Sequence, residues 1–413
     1  MRNYLLPALF LLLFAACHRG ATHYDFPVDV DTTTKEITLQ TKQDWNFVVT
    51  GLIFDNQFDG ARLNEVTQEA TNLYRVKIEP ENTPINSSPW YAFRIKSERD
   101  KNFTVHLTYG NGANHRYYPK ISRDRRSWVA VDTSKVIRNV NGLELYVSLE
   151  MKAGETLYLA GQEVINSSDV KAWAEGLAQH PNLSLSVAGQ SKLGRDIYRM
   201  DLRTEGAKKR PTIVLLSRQH PPEVTGFLAL QGFINGLLAH PRLNEFLSEY
   251  QVLIYPLLNP DGVDLGHWRH TAAGIDSNRD WAQYNQPEAY TVANDIVRIA
   301  NEYKSKVVLG MDFHSTYKDV YYTHLDEVKP ATALPGFKDA WLAGIEKGIG
   351  GDFKINEDAE VIGKPTTMSW FRTQFGAEGI TYEIGDGTDR EFVERKGRIS
   401  ADVMVELLVG SKE

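Results

Sequence analysis

Only one cysteine, Cys17, occurs in the 413 residues of the chain. No intrachain disulfide can form, and a lone thiol so near the start is no candidate nucleophile. An excess of positive charge is missing as well: 46 lysines and arginines stand against 53 aspartates and glutamates, for a net charge of −7. Without a basic stripe to track phosphates, nucleic acid is not an expected partner. Long apolar runs are absent after the first residues, and the run from Leu5 to Phe14 is too short to span a bilayer. Internal repeats and low-complexity tracts are lacking too.

The first stretch, MRNYLLPALFLLLFAAC, has an early arginine, an apolar run and two alanines before Cys17. That order suits a cleaved secretory signal. It resembles a bacterial lipoprotein signal, in which the cysteine becomes the lipidated first residue. The expectation is a signal over residues 1–17 and an exported chain held to the bacterial envelope membrane through a lipid on Cys17, facing the periplasm. An ordinary signal peptide cut nearby would export the chain as well. Oligomeric state leaves no mark in the sequence.

From Lys35 to Gly161 the pattern has period two and is rich in aromatic and β-branched residues. WNFVVTGLIF, YRVKIEP, WYAFRIK, FTVHLTYG, LELYVSLE and ETLYLAG read as short strands between Asn, Gly, Pro and Asp clusters, which predicts an antiparallel β-sandwich over residues 25–162. Its aromatics read as core. After Asn166 the texture changes: Ser168 can cap a helix whose Val170, Trp173 and Leu177 share a face, and Thr291 to Tyr303 has helical spacing. Apolar strands alternating with helices predict an α/β domain over residues 166–413, with a mixed, largely parallel sheet flanked by helices.

Four apolar strands of the second half end on polar residues. PTIVLLS runs into His220 and Glu223, YQVLIYPLL into Asn259–Gly262 (NPDG), SKVVLGMDF into His314 and Ser315, and GITY into Glu383. Ligands of open α/β sheets collect beyond the carboxyl ends of the strands, so these endings are expected to share one crevice. Two histidines and a glutamate are a ligand set of hydrolytic zinc sites. His220 and Glu223 can face one ion if the chain turns at Pro221 and Pro222, and Glu383 can serve as the proton-accepting carboxylate.

HPPE, NPDG, WRHT (Trp268–Thr271), GIDSNRDW (Gly274–Trp281), DFHS and ITYE, in that order, resemble the zinc carboxypeptidase family. GQSKLGRDI, Gly189 to Ile197, is similar to the segment that precedes the first zinc motif there, and the preceding sandwich with WYAF looks most like the cytosolic carboxypeptidase branch and its bacterial relatives. The resemblance implies one zinc ion on His220, Glu223 and His314. It implies that Arg269 stabilises the oxyanion, that Asn278 and Arg279 hold a peptide's terminal carboxylate, that Glu383 is general base and proton donor, and that Asp276 orients a zinc histidine. The implied activity is carboxypeptidase action on free or cell-wall stem peptides. Two other readings stay open, a zinc-dependent deacylase of N-acyl amino acids and a catalytically dead binding lipoprotein.

The chain departs from the family in having no tyrosine between Tyr322 and Tyr382, where a mobile one often precedes the catalytic glutamate. Lys364 lies where the cytosolic branch has a basic residue that reads acidic side chains. His267 and His270 read as solvated or supporting residues, not ligands. Tyr322 and His324 read either as pocket lining or as plain packing, and NPDG alone would be a turn.

Overall fold

The computed structural model describes residues 20–206 and 208–410. The signal expected over Met1–Cys17 lies outside the described residues. Among the described residues no helix is long and apolar enough to cross a membrane.

Two sheets form the first half. One has the strand order Asp44–Phe47, Leu52–Asp55, Ala92–Ser97, Thr156–Ala160, Lys120–Ser122, Val129–Ala130; the other runs Glu65–Ala70, Leu73–Ile78, Lys101–Tyr109, Glu144–Met151, Val136–Arg138. Alternation explains the facing: Leu145, Val147, Leu149 and Met151 are buried while Ser148 and Glu150 are exposed. They meet Phe54, Tyr74, Phe93, Phe103 and Leu159 in one aromatic-rich core. The pairing is antiparallel except between Leu73–Ile78 and Lys101–Tyr109, which run parallel. The segment read as one strand, WNFVVTGLIF, is a hairpin. Val48 and Val49 are exposed in its turn, and Gly51 takes the left-handed backbone (φ +71°) that closes it.

The second half is a mixed eight-stranded sheet: Leu183–Gln190, Asp196–Leu202, Gln251–Tyr255, Thr212–Ser217, Val307–Thr316, Glu378–Gly385, Val320–His324, Glu357–Glu360. The four strands from Gln251–Tyr255 to Glu378–Gly385 are parallel. They are buried on both faces because helices cover both. Ile213 and Leu215 pack toward Phe227, Phe233 and Met404, whereas Val214 and Leu216 pack toward Val292, Ile296 and Trp370. The first helix, Ser167–Leu177, is capped by Asn166 in a reciprocal box with Asp169, not by Ser168 as the sequence suggested. Asn259 caps the helix Pro260–Leu265, so NPDG opens a helix.

Sheet order reverses direction between Thr212–Ser217 and Val307–Thr316, since the chain continues from the first to Gln251–Tyr255 on one side and reaches the second on the other. Both strands therefore deliver their carboxyl ends to a switch-point crevice.

The two halves are interlocked. Trp268, wholly buried, belongs to the sandwich core. Gly60 N–H donates to the Asp264 carbonyl (2.8 Å), Arg116 pairs with Asp386 (2.7 Å) and Arg390 with Glu163 (2.9 Å). The extended segment before the first strand lies across the second half, with Lys35 N–H on the Ala273 carbonyl (2.9 Å). Replacing Trp268 by alanine removes an indole from one core and loosens its contact with the other. Denaturant titration is expected to read a loss of about 3–5 kcal/mol, and a loss below about 1 kcal/mol would contradict the shared core.

Candidate active site

The strand Thr212–Ser217 ends where Arg218 adopts a left-handed backbone (φ +56°), and its buried guanidinium donates to the Pro221 carbonyl (2.8 Å). That turn brings His220 and Glu223 back toward each other. Glu223 stands at the start of the helix Val224–Ala239, one turn from Gly226. A Cβ at Gly226 would stand 2.5 Å from the His314 carbonyl oxygen, so only glycine lets this helix end reach the strand that carries His314.

The resulting cluster is tight. His220 Nδ1 lies 2.8 Å from Glu223 Oε1, and His314 Nδ1 lies 2.7 Å from Glu223 Oε2. One donor atom from each of the three buried residues falls within 4.8 Å of the others. The far nitrogens are held by carboxylates, His220 Nε2 by Asp276 (2.9 Å) and His314 Nε2 by Asp312 (2.7 Å). A carboxylate only accepts, so each Nε2 donates to its aspartate, and a cation replacing the proton between Glu223 and the two Nδ1 atoms would find a lone pair on each. Two imidazole nitrogens and a carboxylate suit zinc, with a position open for water or substrate.

Glu383 lines the same cavity, about 350 Å³ in volume, and its occluded Oε2 has no partner. It does not follow its strand, as the sequence reading had it, but sits within Glu378–Gly385, paired with His314 across the parallel register. Burial and the neighbouring Glu223 carboxylate push its carboxyl up to about 8, against the pull of His314, Arg269 and Arg116. Burial would raise Glu223 too, yet His220 and His314 hold it well below the ordinary range. Desolvation would lower His314, but Asp312 and Glu223 raise it well above the ordinary imidazole value.

Arg269 is buried, and its Nε donates to Asp276 Oδ2 (2.8 Å), while Asp276 Oδ1 meets His220. One carboxylate thus couples the arginine to a candidate ligand, the position the family resemblance implied for Asp276. Asn278 accepts from the Thr367 amide and hydroxyl (2.9 Å each), and Arg279, partly exposed, donates to the Asn278 carbonyl (2.7 Å). Both line the cavity with Tyr322, Lys364 and Glu360. His324 does not reach it and packs against the Glu360 carbonyl. His267 and His270 are buried, His267 Nδ1 on the His270 carbonyl (2.9 Å) and His270 Nδ1 on Asn82 Oδ1 of the sandwich (2.7 Å), so both are supporting residues and neither is solvated.

The sequence reading missed several residues. Asp312 is two positions before His314 on one strand face, a spacing that could have revealed it. Gln219 is a hub: its amide donates to Asp312 and Thr367, and its oxygen accepts from Trp281 (3.0 Å). Arg195, from the GQSKLGRDI segment, braces the helix that NPDG opens, through Asp261 (2.8 Å) and Asp264 (2.9 Å). Asn86 and Arg116 reach the cavity from the sandwich.

Comparison with known proteins bears on both halves. Residues 170–335 match the family model described as zinc carboxypeptidase, and residues 54–162 match the cytosolic carboxypeptidase N-terminal domain. Cytosolic carboxypeptidase 3 of Bos taurus is 23% identical over 298 residues, 65% of this chain and 30% of the relative. An uncharacterized protein of Zymomonas mobilis is 25% identical over 295 residues, 68% of this chain and 69% of the relative. The chain spans about 30% of the length of the cytosolic carboxypeptidase 3 sequences it matches. A metallo-carboxypeptidase from Burkholderia cenocepacia shares the fold at TM-score 0.71 and 19% identity, covering 87% of this chain and 98% of that one. A Pseudomonas aeruginosa metallo-carboxypeptidase does so at TM-score 0.68 and 18% identity, covering 86% and 98%.

Two outcomes follow from the electrostatics. Glu383 is raised from 4.5 to about 8, so the fold binds a proton that the unfolded chain has released, and stability falls as pH rises through that interval. Raised His314 adds a loss in the same direction toward its own elevated value, whereas depressed Glu223 and Asp276 lose their contributions only at acid pH. Chelator-treated protein is expected to melt at progressively lower temperature from about pH 5 to about pH 8, with zinc restoring more at the upper end; a flat profile would contradict this. Asp312→Asn is expected to weaken zinc affinity about 10–100-fold in a competition titration, and an unchanged affinity would remove Asp312 from the support of His314.

Proposed function

We propose, for a chain that carries a zinc carboxypeptidase domain behind a cytosolic carboxypeptidase N-terminal domain, that it is a metallocarboxypeptidase hydrolysing the last residue from peptides. The observation that carries this reading is the convergence in one cavity of His220, Glu223 and His314 with the unpartnered Glu383 carboxylate and the Arg269 and Arg279 cations.

The binding step falls to Arg279 and Asn278. Arginine's planar fork matches a carboxylate, and the partly exposed guanidinium faces the cavity that a peptide end would enter. One zinc ion on the His–Glu–His set would lower the pKa of water to about 7 and polarise the scissile carbonyl as a Lewis acid. Arg269, fixed by Asp276, donates to the oxygen on which negative charge develops. Glu383 takes the proton of the attacking water and returns it to the leaving amine.

Export and a lipid on Cys17 belong to this reading as proposals drawn from the sequence, and they would bring cell-wall stem peptides within reach. Lys364 favours an acidic last side chain, although Glu360 in the same lining opposes it. A deacylase would accept N-acyl amino acids as readily as blocked dipeptides, so comparing the two substrate classes separates the readings.

Glu383→Gln keeps the shape and removes the base. It is expected to retain zinc by elemental analysis while kcat on a blocked dipeptide falls about 10²–10⁴-fold. Retained turnover would refute the assignment of Glu383, and wild-type protein that binds no zinc and cleaves no peptide would refute the function.

A further inference from the structure

We propose that Glu81, in the sandwich, is a positioning residue for the oxyanion arginine, so that the N-terminal domain completes the active site of the second. The inference rests on the carboxypeptidase reading and adds to it a residue from outside the zinc carboxypeptidase domain.

Glu81 is wholly buried. Its Oε2 accepts from the Trp268 amide (2.7 Å), and its Oε1 accepts from the amides of Arg269 (3.0 Å) and His270 (2.7 Å). Three consecutive N–H groups aimed at one carboxylate fix the backbone on both sides of Arg269. The neighbouring Asn82 tightens the same loop: its Oδ1 meets His270 Nδ1 (2.7 Å), and its amide donates to the Gly274 carbonyl (2.9 Å). On the far side the Trp268 indole is sunk in the sandwich core. Arg269 is thereby gripped at its backbone by one domain and at its guanidinium by Asp276 of the other.

A buried carboxylate is costly unless compensated. Burial would raise the Glu81 carboxyl, but His267, Arg62 and the His270 amide outweigh it, and the group stays ionised. The charge is offset by three amides of a segment, Trp268 to His270, that is itself neither helix nor strand. Arg269 is its only side chain that both lines the cavity and meets Asp276, which in turn holds His220. A shift of about 1 Å in a catalytic donor can cost about 10²-fold in rate, so the clamp bears on the reaction more than on substrate binding through Arg279.

The test uses full-length Glu81→Gln beside Arg269→Ala and the double variant. Wild-type cleavage of a blocked dipeptide establishes the carboxypeptidase reading separately. Glu81→Gln is then expected to keep its zinc content and to lower kcat about 10–100-fold with KM within about 3-fold of wild type. Affinity for a phosphonate dipeptide analogue, which mimics the tetrahedral oxyanion, is expected to fall in parallel. In chelator-treated protein, amide hydrogen exchange at Trp268 to His270 should quicken in the variant. The double variant should be no slower than Arg269→Ala alone. Additive losses, a kcat within about 3-fold of wild type, or a rise in KM alone would overturn the proposal. Should Glu81→Gln not fold, Asn82→Ala loosens the same loop and must show the same split between kcat and KM, or the proposal falls.

Discussion

The cost of placing two carboxylates, Glu223 and Glu383, in one partly closed cavity governs the second half of this molecule. Two buried acids of like charge cannot both ionise cheaply. The chain separates their affinities for the proton by giving Glu223 two imidazoles and leaving Glu383 with an occluded oxygen that has no hydrogen-bond partner. On the proposed reading, one carboxylate is a metal ligand and the other a proton carrier. A divalent cation beside Glu223 would relieve the remaining repulsion and so couple metal binding to the fold through charge.

The sheet makes this convergence possible. Only at a reversal of strand order do neighbouring parallel strands open toward a common space, and His220 and His314 come from the two strands that flank it. Buried polar support then fixes the rings: Asp276 and Asp312 hold the distal nitrogens, and Gln219 ties the Asp312 strand to Trp281. The sandwich supplies part of the cavity wall through Asn86 and Arg116, takes Trp268 into its core and grips the Arg269 loop through Glu81. The domain boundary in the sequence is therefore not a boundary in the chemistry.

Residues whose type the chemistry demands were legible in the sequence. HPPE, SNRDW, DFHS and ITYE each pair a reactive side chain with a strand or turn signal, and the mixed, largely parallel sheet behind them follows from apolar runs that only double-sided burial allows. Residues that act on backbone groups left no such trace. Glu81 meets amides 187 to 189 positions away, and nothing in EPEN marks it as anything but a turn acid. Apolar composition also concealed the Val48–Gly51 turn, because two exposed valines read like strand. The edge strands Leu183–Gln190 and Glu357–Glu360 were missed for the opposite reason, since their many exposed residues carry a weak apolar pattern.

The most direct test of the central claim is anomalous diffraction at the zinc edge from crystals of the zinc-loaded protein. The account predicts a single strong peak about 2.0–2.2 Å from His220 Nδ1, His314 Nδ1 and a Glu223 carboxylate oxygen, within reach of Glu383 but not bonded to it. A peak elsewhere, or zinc held through the Nε2 atoms with Asp276 and Asp312 displaced, would contradict it.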